Sequence, residues 1–145
     1  MSTLISEPWR LLVRSRADSL CEYCLIHEDD CLFILQIDHI ISVKHGGATT
    51  LENLALACIF CNRQKGSDVG TIVAGGGFTR FFNPRTDSWA AHFRLAGAVI
   101  EPLTSMGEAT ARILRFNDAE RVTEREELVA QGRYPALPAL ARMRG

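Results

Sequence analysis

Long apolar runs are missing from this 145-residue chain. No stretch approaches the roughly 20 residues needed to cross a bilayer as a helix. Met1 to Arg16 interleaves charges with its apolar positions and so lacks the uninterrupted core of a secretory signal. The chain is therefore expected in the cytoplasm, away from membranes. Lysine is nearly absent: Lys44 and Lys65 stand against fourteen arginines. Neither sign of charge is in excess, the formal net charge being −1. That removes any global attraction to a polyanion, so contact with nucleic acid must come from local basic clusters and bound metal. Arginine does suit forked contacts to phosphate. Internal repeats and low-complexity tracts are also lacking. What remains is 47% apolar and 23% charged, enough for one ordinary domain with a real core and too apolar for a disordered chain.

A chain without a secretory signal keeps its thiols reduced, which excludes a disulfide framework for the five cysteines. Their spacing points to metal. Cys21-x-x-Cys24 and Cys58-x-x-Cys61 each have the two-residue gap that lets both sulfurs reach one ion about 2.3 Å away. Together they complete a closed tetrahedral site. A redox role accounts for one pair but not both. Between Cys24 and Cys58 lie 33 residues, more than a zinc ribbon uses, so something is inserted there. A metal clip across such a loop offsets a substantial closure entropy. Cys31 is left over and reads as a buried thiol, and His27 as a surface residue.

Hydropathy patterning predicts an amphipathic helix over Glu7 to Asp18 and a strand over Leu32 to Ile41. A loop follows at His45-Gly46-Gly47. Thr49 and Glu52 have capping-box spacing, which predicts one helical turn before Asn53. A second strand covers Leu54 to Ala57, and a helix starts at Asn62. Beyond this point Gly75-Gly76-Gly77 reads as a flexible joint. A hairpin pairs Ala91 to Leu95 with Ala98 to Pro102. Ser105 with Glu108, and Asn117 with Glu120, open two further helices ending near Arg115 and Gln131. The tail from Arg133, with Pro135 and Pro138, reads as irregular. The pattern is α+β with small sheets and flanking helices, divided into residues 1–72 around the cysteine pairs and a C-terminal extension over 73–145 packed on them.

The inserted segment carries Ile37-Asp38-His39-Ile40, then Asn53-Leu54, then Asn62-Arg63-Gln64-Lys65. A carboxylate is a hard ligand suited to Mg2+ or Mn2+, and an imidazole can take a proton from water near neutral pH. The amide oxygen of Asn62 is a second hard ligand, placed directly after the second cysteine pair; Asn there also suits a helix cap. Adjacent strand residues point to opposite faces, so Asp38 and His39 share one reaction centre only if a phosphate spans a metal and a water, or the strand is distorted. Lys44, His45, Arg63 and Lys65 are candidate nucleic-acid contacts, with a solvated face as the alternative. Arg80 and Arg85 are weaker candidates, and His92 reads as packing on Trp89 and Phe93.

The run Cys21-x-x-Cys24 … Asp38-His39-Ile40 … Gly46-Gly47 … Asn53-Leu54 … Cys58-x-x-Cys61-Asn62-x-x-Lys65 resembles the HNH endonuclease family with its ββα-metal finger, in the variant whose third position is Asn. Phe82-Asn83-Pro84-Arg85, Trp89-x-x-His92-Phe93 and Thr104 … Gly107-x-Ala109-Thr110 resemble an extension of one bacterial HNH subgroup. The resemblance implies a zinc-stabilised ββα-metal core that hydrolyses phosphodiester bonds. Asp38 and Asn62 would hold one divalent ion, Mg2+ or Mn2+, and His39 would be the general base. Asn53 would brace the loop that orients His39, and Cys21, Cys24, Cys58 and Cys61 would hold a structural Zn2+. Four thiolates and one divalent ion sum to −2, leaving the zinc-loaded chain near −3. DNA is the expected partner, with RNA open. The C-terminal segment is open to a homodimer contact or a partner protein. The competing readings are an inactive zinc-stabilised binding module and a purely structural zinc ribbon.

Overall fold

The computed structural model describes residues 4–75 and 77–145. Helix α1 spans Glu7–Arg16. Ser6 caps it by accepting a hydrogen bond from the Trp9 amide, a proline sits in its first turn, and Arg14 and Arg16 occupy its last. The helix stops where Asp18 and Ser19 turn left-handed, and the first cysteine pair follows at once.

Strands β1, Gln36–His39, and β2, Leu54–Ala57, form an antiparallel pair with Gln36 opposite Ala57 and His39 opposite Leu54. Strand β2 is buried along its whole length, as its unbroken apolar sequence requires. The expected strand over Leu32 to Ile41 is shorter than its hydropathy suggested. Residues before Gln36 have nothing to pair with, because the register would bring Leu35 opposite Cys58, where the partner chain turns into a helix. Leu32, Phe33 and Ile34 are consequently exposed.

Helix α2, Ile59–Lys65, packs on β1. It starts three residues before the expected Asn62, because Cys58 caps it: the Cys58 sulfur accepts from the Cys61 amide. The thiolate spacing of a metal knuckle and the N-cap of a helix are here the same geometry. The expected glycine joint is instead a hairpin turn. Strands β3, Gly70–Val73, and β4, Gly77–Arg80, pair antiparallel across it, with Val73 opposite Gly77; Gly76 lies outside the described residues. The expected division between residues 72 and 73 therefore falls inside β3.

Helix α3, Trp89–His92, leads into the hairpin of β5, Phe93–Ala96, and β6, Val99–Pro102. Helix α4, Ser105–Ile113, packs on β3, β4 and β6. Its cap is Thr104, one residue before the Ser105 that sequence spacing suggested, with the Thr104 hydroxyl accepting from the Gly107 amide. Helix α5, Ala119–Ala130, begins at Asp118. Asn117 does not cap it: the Asn117 side chain accepts from the Ile100 amide and donates to the Ile100 carbonyl, as a neighbouring strand would. The tail is not irregular, since α6 spans Leu137–Arg144 with a proline in its first turn, where the missing amide is no loss.

One continuous core joins all parts of the chain. Val13, Leu20, Tyr23 and Leu56 belong to the same buried cluster as Phe82, Trp89, Phe93, Phe116 and Ala139. Hydrogen bonds fasten the C-terminal part directly to the first cysteine pair and its neighbours. The Trp89 indole donates to the Tyr23 carbonyl at 2.8 Å, the Tyr134 hydroxyl donates to the Cys24 carbonyl at 2.8 Å, and Arg133 donates to Asp30 at 2.6 Å.

Candidate metal centre and reaction cleft

The four cysteines of the two pairs converge. Their sulfurs all lie within 4.8 Å of one another and all four residues are buried. Cys24 Sγ and Cys58 Sγ are 3.8 Å apart, which is the edge, about 3.8 Å, of a sulfur tetrahedron drawn around an ion at about 2.3 Å. The Cys24 amide points at Cys21 Sγ from 3.5 Å and the Cys61 amide at Cys58 Sγ from 3.4 Å, the donor pattern that supports thiolates. Burial pushes the Cys21 and Cys61 thiols up, while hydrogen bonds from Cys21, Cys58 and Cys61 hold Cys24 down. A divalent cation resolves that conflict, because a coordinating thiol is deprotonated outright. Donor type, spacing and seclusion thus fit a structural zinc ion, and these four cysteines can hold one. Cys31 is outside the group, half-buried at its edge, with its thiol pushed up to about 12 by burial and by the cluster's charge. His27 caps a turn by accepting from the Asp29 amide.

Sequence reading gave no sign of Arg121. From α5 its guanidinium approaches Cys61 Sγ at 3.3 Å and Cys58 Sγ at 3.8 Å, and donates to the Leu114 carbonyl at 2.8 Å. It also lies 5.7 Å from the centre of the Phe60 ring and 5.9 Å from that of Phe116. One positive charge against the −2 of a four-thiolate zinc centre offsets half of the excess. Its spacing from Asn117 and Glu120 marks it only as a helix residue, so no local signal pointed to it.

The knuckle is also stitched to the hairpin. Glu22 exchanges hydrogen bonds with Leu56, its amide donating to the Leu56 carbonyl and its carboxylate accepting from the Leu56 amide. Its other oxygen pairs with Arg85. Arg85 is thereby taken up inside the molecule, and Arg80, half exposed, pairs with Asp87 at 2.9 Å. Next to Glu22, the Tyr23 hydroxyl donates to Asp38 Oδ2 at 2.7 Å.

Asp38 and His39 are adjacent at the end of β1 and bond to different partners. Asp38 is 5% exposed and faces Tyr23 and Lys65. The Lys65 ammonium lies 3.2 Å from Asp38 Oδ1 and 3.1 Å from Oδ2, and donates to the His39 carbonyl at 2.9 Å. Burial raises the Asp38 carboxyl against the opposing pull of Lys65 and Tyr23. This corrects the expectation for Lys65. It is 1% exposed, spent on an ion pair inside the protein, and is not a surface contact for phosphate. A cation opposite a buried carboxylate is held there because either charge alone would be costly.

His39 Nε2 lies 2.9 Å from the Thr49 hydroxyl oxygen. Thr49 does not form the expected capping box: the turn Leu51–Asn53 begins at Thr50 and has no side-chain cap. Asn53 bonds to backbone on both sides of the loop's glycines. Its Oδ1 accepts from the Ile41 amide at 2.8 Å, and its Nδ2 donates to the carbonyls of Ile41 at 2.9 Å and Ala48 at 2.8 Å. Gly47 makes this possible, since a Cβ there would overlap the Ile41 carbonyl oxygen and press on Asn53 Nδ2.

Asp38, His39 and Asn62 border one open cleft of about 310 Å³, together with Ser42, Lys44, Gly66 and Ser67. Asn62 is held by a hydrogen bond from its Nδ2 to Gln36 Oε1, which leaves its side-chain oxygen unpaired among the described residues. Lys44 is exposed on the rim. His45 and Arg63 are exposed nearby in sequence, on the turn after β1 and on α2. His92 packs edge-on to Phe82 and bonds Thr104 at 2.7 Å, away from this cleft.

The tertiary structure therefore assembles a buried four-cysteine centre and, on the hairpin and helix it anchors, an open cleft with a carboxylate, an imidazole and an amide. Residues 21–68 match the model of the HNH endonuclease family. That span begins at the first zinc-knuckle cysteine and ends three residues beyond Lys65. No curated protein and no solved structure matches the chain at a significant level.

Proposed function

We propose, from the match of residues 21–68 to the HNH endonucleases, that this protein hydrolyses phosphodiester bonds of DNA with His39 as general base. The observation that carries the reading is one cleft bordered by His39, Asp38 and Asn62, in which His39 has one ring nitrogen tied to Thr49 and the other unpaired among the described residues.

In this reading His39 takes the proton of a water aligned for in-line attack, an effect worth roughly 10²–10⁴ in rate. Asp38 and Asn62 would hold a divalent ion, Mg2+ or Mn2+. A carboxylate has about four lone-pair sites; Tyr23 and Lys65 use three on Asp38, so one on Oδ1 remains. With the Asn62 amide oxygen this is an all-oxygen donor pair, the set that hard cations prefer. Such an ion supplies Lewis-acid polarisation of the phosphoryl group and stabilises charge on the leaving oxygen. Tyr23 and Lys65 keep the Asp38 carboxylate in one orientation. Lys44, His45 and Arg63 contact the flanking phosphates, which positions the strand without reading its sequence.

A second reading, a zinc-stabilised binding module without chemistry, is favoured by one observation: the Lys65 ammonium competes with any second cation for Asp38. Purified zinc-loaded protein incubated with supercoiled plasmid separates the two. Nicking that requires added Mg2+ or Mn2+ supports the nuclease. Intact plasmid that is nevertheless bound and retarded on a gel supports the module.

A further inference from the structure

We propose that Thr49 is a positioning residue for His39, its hydroxyl oxygen accepting a hydrogen bond from Nε2–H and so leaving Nδ1 as the nitrogen that acts as base. The inference rests on the nuclease reading and deepens it. A neutral imidazole has one donor and one acceptor nitrogen, and the hydrogen bond made by one fixes the role of the other. Nε2 of His39 lies 2.9 Å from the Thr49 hydroxyl oxygen. Among the described residues Nδ1 has no partner, and His39 borders the cleft. If the hydroxyl donated instead, Nδ1 would carry the hydrogen and could accept no proton from water.

The surroundings explain why Thr49 can hold a ring in place although it lies in a loop. Asn53 ties Ala48, the preceding residue, through its carbonyl, and ties Ile41 at both backbone groups. Gly46 is left-handed, with φ +89°, and accommodates the turn, while Gly47 allows the close approach of the Ile41 carbonyl. The loop is thus fixed on both sides of its glycines, and the Thr49 hydroxyl is the atom through which that rigidity reaches the imidazole. Asn53 acts on His39 through Thr49 and touches no reacting atom itself.

The test uses the zinc-loaded full chain and has two readouts. Long-range proton–nitrogen correlation spectra report which ring nitrogen carries hydrogen. His27 serves as an internal standard, because its Nδ1 accepts from the Asp29 amide and its hydrogen must lie on Nε2. A His39→Gln variant assigns the His39 signals. The proposal expects the Nε2–H form at His39 in the wild type and loss of that preference in Thr49→Val. It expects a fall in kcat of about 10²-fold there, the size of effect that misplacing a reacting group produces, with KM for DNA unchanged. Thr49→Ser, which keeps the hydroxyl, restores the tautomer and most of the rate. Zinc content and far-ultraviolet circular dichroism confirm that each variant is folded. An Nδ1–H form in the wild type overturns the proposal, as does a Thr49→Val variant with wild-type tautomer and kcat. A wild type that cleaves nothing but shows a Thr49-dependent Nε2–H form overturns the nuclease reading and supports the direction of the hydrogen bond.

Discussion

Lys65 and Asp38 make opposite demands of their setting, and neither can be removed alone without consequence. Both are almost wholly buried. Deleting one charge of such a pair leaves the other desolvated and unpaired, a loss of about 3–5 kcal/mol. Lys65→Met is therefore expected to lower the unfolding free energy in urea by about that amount at neutral pH. The deficit depends on pH with a definite sign. Burial already raises the Asp38 carboxyl, and removing Lys65 raises it further. A group with a raised folded-state value favours folding below its unfolded value, and that contribution is lost as pH rises through the folded one. The variant should accordingly lose more stability at pH 8 than at pH 5. Adding Asp38→Asn should recover most of the loss. A single variant within 1 kcal/mol of wild type at both pH values would contradict this account.

The residue scale is also where sequence reading was most uneven. Cys21, Cys24, Cys58 and Cys61 were legible because metal geometry dictates a local spacing. Asp38, His39 and Asn62 stood out by residue type and as a family pattern, and the fold brings all three to one cleft. Lys65 was misread because exposure is the ordinary state of a lysine, and only tertiary structure reveals a carboxylate opposite it. Tyr23 and Arg121 were not singled out, and Thr49 was read only as a helix cap. Each acts across the fold on a residue ten or more positions away, and a linear pattern carries no trace of that.

At the scale of elements, the loop between β1 and β2 depends on Asn53. Its side chain makes three hydrogen bonds to backbone, each worth a net 0.5–1.5 kcal/mol or so. Asn53→Ala should cost about 1.5–4.5 kcal/mol in urea unfolding and should free the His39 ring, seen as loss of a single tautomer. An unchanged midpoint would show that the loop is held by other means. Helix α5 has a second element-level role, since it delivers Arg121 to the thiolates. Arg121→Met keeps an apolar stem between Phe60 and Phe116 but removes the guanidinium. Outer contacts to metal ligands are commonly worth 10–100-fold in affinity, so competition with a chromophoric chelator should show zinc leaving at least about tenfold more readily. Equal retention would assign Arg121 to packing alone.

Elements whose patterns were self-contained, such as β2 and the body of α5, followed from sequence. Boundaries set by something distant did not. Strand β1 starts only where its partner has not yet turned into the second cysteine pair, α2 starts where a cysteine doubles as a cap, and α6 begins at prolines that read as breakers because a first-turn proline cannot be told from a terminating one without the helix after it.

For the whole molecule, the C-terminal part is wall and fastening for the cysteine centre. Trp89 holds the Tyr23 carbonyl, and Tyr23 holds Asp38, so a residue outside the matched span 21–68 is one side chain removed from the cleft. Trp89→Ala removes a buried ring as well as this hydrogen bond and should cost about 3–5 kcal/mol. It should also slow cleavage under conditions where the protein remains folded. A destabilised variant with the wild-type rate would show that the C-terminal part supports stability only.

The role proposed for His39 is that of the base in a phosphodiester hydrolysis. Single-turnover nicking of supercoiled plasmid in Mg2+, by wild type and His39→Ala carrying equal zinc, tests it most directly. Cleavage by the wild type and a loss of about 10²–10⁴-fold in the variant, with DNA binding retained, are expected. Equal rates in the two proteins, or no cleavage by a folded, zinc-loaded wild type that still binds the plasmid, would contradict it.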